Sequence, residues 1–318
     1  MERKVKEINY NIEQLETLGV IPFTLEKYTL DKPVIAWSSN GKFYDSSVSS
    51  KERVEYFLSN VKKIGIDDIM MCEQPNAKEV CHEITYEELL DYYKSPLAHQ
   101  EGTIWNIRKE CEAIFMSRET HFLVMESTGR SVSLAFPAAD CAIIRMYDKK
   151  KDVIGLAHSG FEHTTKNIIK SMAEYMRDHF NSDLNDVIVF ASAFAQTGII
   201  WNKYPPFAEN NSTWDNYIVE LNDKELEELK KVKKVSSDKK YYNVLFGNKI
   251  YDQLIDAGLS EDNIYFNKDN TIKNDSYFSN NRIKLFNDRN GRNLFGISFD
   301  SLPIYENKEK RLVKTILK

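Results

Sequence analysis

Apolar positions along this chain fall into short blocks separated by polar turns, with helical spacing between some of them. "PVIAWSS" (33–39) predicts a strand, as do "DDIMMCEQ" (67–74), "EAIFMS" (112–117), "HFLVMES" (121–127) and the alternating "SVSLAF" (131–136). Val54, Phe57, Leu58 and Val61 recur at helical spacing, with Gly65 just beyond them. Residues 85–110 read as helix and loop. Residues 141–147 and 152–158 read as two strands joined by Asp148-Lys149-Lys150-Lys151, four polar residues that suit a hairpin turn. Thr164 or Thr165 is placed to cap a helix whose stripe is Ile168, Ile169, Met172, Met176 and Phe180. Residues 186–200 predict a further buried strand pair, or a strand and a turn. Residues 222–231 and 243–257 predict helices, the second ending at Gly258. "DNIYF" (262–266) predicts a strand, and 277–299 a loop, a turn and a final strand.

The hairpin matters most for chemistry. If Tyr147 pairs with Asp152, then Arg145 faces Ile154, Ile143 faces Leu156 and Cys141 faces His158. Directly opposed residues have Cβ atoms about 4.5–5.5 Å apart. The turn would then deliver a thiol and an imidazole side by side, at a strand-to-helix corner marked by Gly160. A one-residue slip would separate them across the sheet.

Composition narrows the class. With 318 residues, 42% hydrophobic and 29% charged, the chain has core enough for one large domain. No apolar run is long enough to span a bilayer, and the polar start MERKVKEINYNIEQLE does not read as a signal peptide. Four cysteines in this length do not form a disulfide framework, so we expect free thiols and a cytoplasmic location. A net charge of −5 gives no pull toward nucleic acid, and no membrane partner is expected. The basic stretch Lys230 to Lys240 is diluted by acidic neighbours and reads as a solvated helix end.

Several segments together resemble the YfiH family, also called multicopper polyphenol oxidase or laccase-domain proteins. "ADC" at 139–141 is followed by "HSG" at 158–160 and a helix. "NTIKNDSYFSNNR" with "NDRNGRN" resembles the family's ending, and "GNKIYDQLIDAGLSEDNI" (247–264) its helix before a strand. The likeness runs over roughly residues 33–300. It implies a mixed α/β fold of packed mixed β-sheets with flanking helices, a cysteine-hydrolase-like arrangement in a single domain at 33–318, behind an N-terminal extension at 1–32. It implies a zinc-type His, Cys, His trio, of which Cys141 and His158 are two members, with Asp140 beside them. It also implies activity on purine nucleosides: phosphorolysis of adenosine, inosine or methylthioadenosine, and in some members adenosine deamination. Arg292 and Arg282 match family arginines near substrate or phosphate.

The chain departs from the family pattern at three places. Asn76 stands where the first histidine belongs, Trp37-Ser38-Ser39-Asn40 lacks an arginine, and Phe161-Glu162-His163 replaces Trp-Arg-Gly. Zinc is therefore expected to be weak or absent, with His163 or His82 as candidate substitutes for the third ligand. Three readings follow: a divergent purine nucleoside phosphorylase-like enzyme, a catalytically reduced relative that binds a nucleoside-like ligand or a protein, and a metal-free Cys–His amide hydrolase. Trp201, Tyr204 and Phe207 form an aromatic group suited to base stacking or to loop packing.

Overall fold

The computed structural model describes residues 23–25, 34–39, 68–72, 114–116, 122–126, 132–236 and 238–299. Within these the strands are β1 (Phe23–Leu25), β2 (Val34–Ser39), β3 (Asp68–Cys72), β4 (Ile114–Met116), β5 (Phe122–Glu126), β6 (Val132–Ala138), β7 (Ala142–Asp148), β8 (Val153–Ser159), β9 (Ile188–Ala191), β10 (Ile199–Trp201), β11 (Ile218–Glu220), β12 (Tyr242–Val244), β13 (Ile264–Phe266) and β14 (Asn293–Phe299). The helices are α1 (Phe161–Thr165), α2 (Ile168–Phe180), α3 (Asp223–Val232), α4 (Phe246–Asp256) and α5 (Asn280–Phe286). The helical pattern at Val54, Phe57, Leu58 and Val61 and the helix and loop expected at 85–110 lie outside the described residues. None of the described helices is long and apolar enough to cross a membrane.

The described strands form a six-stranded sheet in the order β1-β2-β14-β6-β3-β4, a five-stranded sheet β13-β9-β7-β8-β5, and a small antiparallel sheet β10-β12-β11. β1, inside the expected extension, pairs antiparallel with β2. The fold is the expected mixed α/β one, with packed mixed sheets and flanking helices.

β7 and β8 are buried along their whole length because both faces of their sheet are covered. Ala142, Ile144 and Met146 face the apolar stripe of α2, formed by Ile168, Ile169, Met172, Ala173 and Met176. Ile143, Tyr147, Ile154 and Leu156 face the six-stranded sheet and meet Val34, Ala36, Leu134, Phe136 and Ile297. The layers run helix, sheet, sheet, which accounts for the near-continuous apolar runs in β7 and β8.

Three expectations are corrected. Tyr147 pairs with Ile154 and Ile143 with His158, so the hairpin register is shifted by two residues. Asp152, expected as the first strand residue, is left-handed (φ 51) and belongs to the turn. Asp148 Oδ1 accepts hydrogen bonds from the backbone N–H groups of Lys150 (2.8 Å) and Lys151 (3.1 Å), which closes that turn one residue later on each strand. Next, neither Thr164 nor Thr165 caps α2. Its N-cap is Asn167, at φ 56, while Thr164 lies within α1 and donates its hydroxyl to the Gly160 carbonyl at 2.7 Å. Finally, part of the expected loop at 277–299 is α5, capped by Ser279, whose hydroxyl accepts from the Arg282 N–H at 3.0 Å.

Candidate functional site

The corner between β6 and β7 is built by Asp140. It is left-handed at φ 80, a conformation uncommon for a side chain other than glycine, and three hydrogen bonds to its carboxylate hold it there. Oδ1 accepts from the Thr271 hydroxyl at 2.7 Å. Oδ2 accepts from the backbone N–H of Asn281 at 2.7 Å and from its side-chain amide at 2.8 Å. The Asp140 carbonyl accepts from Ala195 N–H at 3.0 Å. The buried Asp140 carboxylate thus ties the loop after β13 and the start of α5 to this corner, and its carbonyl ties the loop after β9.

The two-residue register shift leaves Cys141 on the His158 face, because side chains alternate with period two. It moves Cys141 from opposite His158 to opposite Gly160. There the absence of a side chain matters. A Cβ on Gly160 would lie 3.1 Å from Cys141 Sγ, 3.4 Å from His163 Nδ1 and 3.8 Å from His158 Cε1. Thiol and imidazole are therefore neighbours on one face, and His163 joins them: its ring centroid is 5.0 Å from that of His158. Both imidazoles are buried, on the last turn of β8 and within α1. Ser159 and Thr164 hydroxyls, 2.8 Å apart, tie α1 back to the end of β8.

The Cys141 thiol is held protonated. Burial, together with the nearby Asp140 carboxylate, pushes its pKa from 9.0 up to about 12, against the opposing pull of the Arg292 guanidinium. Arg292 Nη1 donates to Asn280 Oδ1 at 3.1 Å and to the Gly291 carbonyl at 2.9 Å.

Arg282 is placed differently. Its Nη1 donates to the carbonyls of Thr271 and Asn274, both at 2.8 Å, its Nη2 to the Tyr277 carbonyl, and its Nε to the Asp288 carboxylate. Its guanidinium knits the 271–277 loop to the end of α5, and it meets the corner only indirectly in these contacts, through Thr271, whose hydroxyl bonds Asp140. Asn280, Asn281 and Thr271 carry the corner's polar framework, and sequence reasoning missed all three. The only available signal was their position inside the "NTIKNDSYFSNNR" segment.

The aromatic group gathers on Phe161, the residue after Gly160. Phe161 stacks on Phe207 with centroids 4.3 Å apart and meets Trp201 at 6.5 Å and Phe246 at 4.9 Å. Tyr204 instead meets Tyr242 at 5.6 Å.

A catalytic zinc site offers three protein donors and an open position. Among the described residues no three His, Cys, Asp or Glu side chains are grouped to hold a metal ion. Cys141 Sγ, His163 Nδ1 and the His158 ring edge at Cε1 all lie within 4 Å of one point. Asn40, Asn76 and His82 lie outside the described residues.

A sequence profile described as "Multi-copper polyphenol oxidoreductase laccase" matches residues 116–300. The chain belongs to this laccase-like family. No curated protein matches it. Among solved structures, YfiH of Bacillus licheniformis is 16% identical, with a TM-score of 0.56 over 88% of this chain and 97% of that one. YlmD of Geobacillus stearothermophilus is 16% identical, with a TM-score of 0.57 over 87% and 96%. A Neisseria meningitidis protein is 13% identical, with a TM-score of 0.53 over 88% and 99%. These likenesses establish a shared fold. The laccase-like match contains Cys141, His158, His163, Arg282 and Arg292, and begins after Asn76.

Proposed function

We propose that this laccase-like chain is a divergent purine nucleoside phosphorylase-like enzyme, acting on adenosine, inosine or methylthioadenosine, with adenosine deamination as a side activity. The observation that carries the reading is the meeting of Cys141, His158 and His163 around Gly160, with the Arg292 charge acting on the same thiol.

Phosphorolysis breaks the glycosidic C–N bond and forms a C–O bond between the sugar and phosphate. It needs an anion site, an oriented base and a proton for the departing nitrogen. Arg292 is the phosphate residue in this scheme, because its positive charge acts on the Cys141 thiol while the guanidinium of Arg282 is engaged by loop carbonyls and Asp288. His158 hands the departing base its proton. The protonated Cys141 thiol donates a hydrogen bond to the base, and Asp140 positions that thiol. A thiol held protonated is a poor nucleophile, so the amide hydrolase reading has little support. With Asn76 in the first-histidine position, zinc is held weakly or not at all, and no step here is routed through it. Asn76→His should raise bound zinc, measured by metal analysis of pure protein.

The deciding experiment is a screen of purine nucleosides with phosphate, following free base and sugar phosphate. Cys141→Ala and His158→Ala should each abolish turnover. They act as a unit, so the double variant should lose no more. Full turnover by Cys141→Ala would make the cysteine structural and end this reading. The second reading, a relative that binds nucleosides without turnover, is favoured by the consumption of Arg282 in loop contacts. Saturable nucleoside binding without base release would select it.

A further inference from the structure

Packing requires glycine at position 291. A Cβ there would lie 2.5 Å from the Phe278 ring. That ring is itself fixed: Asn293 Oδ1 accepts from the Phe278 N–H at 2.8 Å, and the Arg289 guanidinium lies over the ring at 4.7 Å. The residue before this glycine is Asn290, which is exposed. Gly291 is buried, and its N–H donates to Asn290 Oδ1 at 2.9 Å, which holds the nitrogen against the side-chain carbonyl. The Gly291 carbonyl, one peptide further on, is the group that accepts from Arg292 Nη1 at 2.9 Å.

We propose that Asn290–Gly291 is a site of spontaneous deamidation that alters the setting of Arg292. The Gly291 nitrogen attacks the Asn290 side-chain carbonyl carbon as its proton passes to the Oδ1 that already accepts from it. A C–N bond forms, the bond to the side-chain nitrogen breaks, and ammonia leaves with the proton. Water then opens the five-membered imide at either carbonyl, yielding aspartate or isoaspartate. One water is consumed, one ammonia is released, and nothing is oxidised or reduced. Glycine is the residue that crowds the attacking nitrogen least, so the packing that demands glycine also leaves the reaction open. Either product places a carboxylate two residues from Arg292. Isoaspartate also lengthens the main chain by one carbon next to the carbonyl that Arg292 grips.

The modification rests on this geometry alone. Only its effect on phosphate depends on the nucleoside reading. The test is to hold folded full-length protein in mildly alkaline buffer and map the peptide spanning 287–293 by mass spectrometry, with ammonia measured in parallel. The expected result is amide-to-acid conversion at position 290 matched by ammonia, abolished in Asn290→Gln and retained in Asn40→Gln, which removes the chain's other Asn-Gly pair. An intact Asn290 in folded protein, under conditions where the urea-unfolded chain converts, would overturn the proposal. So would conversion that maps to Asn40 alone. Calorimetric titration with inorganic phosphate then separates the two readings. Several-fold weaker binding by the converted protein than by fresh protein links the site to Arg292. No phosphate binding by fresh protein would overturn the Arg292 phosphate role, and the mapping result would stand by itself.

Discussion

Arg282 and Arg292 stand ten residues apart in one segment, and the fold uses them in opposite ways. Arg282 is 8% exposed and satisfied by three loop carbonyls and Asp288. Arg292 is partly buried, touches Asn280 and its own neighbour's carbonyl, and acts electrostatically on Cys141. Two identical side chains from one family-like ending thus divide into a structural knot and a charge at the corner. Four hydrogen bonds commit the Arg282 guanidinium to its own loop, whereas the Arg292 charge opposes the rise of the Cys141 pKa.

The largest effect should break this comparison most directly. Arg282→Ala leaves three carbonyls and a carboxylate without their donor, and should lose about 3 kcal/mol or more of stability. Arg292→Ala should stay within about 1 kcal/mol of wild type while raising the phosphate requirement of any turnover. Urea titration of both variants is the measurement, and equal losses would erase the distinction. Next, Asp140→Ala should cost about 2 kcal/mol, because the Thr271 hydroxyl and two Asn281 donors lose their acceptor. Asp140→Asn keeps an acceptor oxygen and should recover part of that loss.

A smaller effect is pH-dependent. The folded Cys141 pKa lies above its ordinary value, so the folded protein binds this proton more tightly than the unfolded chain. The contribution is whole below pH 9.0 and is lost as pH rises toward about 12. Cys141→Ser should therefore lose less stability than wild type over that window in alkaline urea titrations, and parallel curves would show that the thiol is not held protonated. Smallest of all, Gly160→Ala should cost about 1–2 kcal/mol, since its new methyl presses on Cys141 Sγ and His163. If it costs nothing, the crowding at this point is looser than its distances indicate.

Much of the fold was legible in the chain. The blocks at 34–39, 122–126 and 132–138, the β7–β8 hairpin, α3 and α4 all follow from period and punctuation. Local patterning suffices for these because each segment buries its own apolar face. α5 was not legible, since Asn280 to Phe286 has no apolar stripe and is held by Ser279 and Asp140 instead. The hairpin register was missed because Asp148 and Asp152 are both turn formers, and the hydrogen bonds of Asp148 to Lys150 and Lys151 decide between them.

By itself the sequence placed Cys141 and His158 at the open end of one hairpin, and the turn at Asp148 made the register shift even, which keeps them on one face. It also determined the segments that carry the laccase-like resemblance. Only the tertiary structure decided that Cys141 stands over Gly160, that His163 joins the pair, and that Arg282 and Arg292 part company. Those outcomes depend on contacts between residues remote in the chain, such as Asp140 with Thr271 and Asn281. No local pattern encodes such contacts, because side chains that meet across loops leave no periodicity in the sequence.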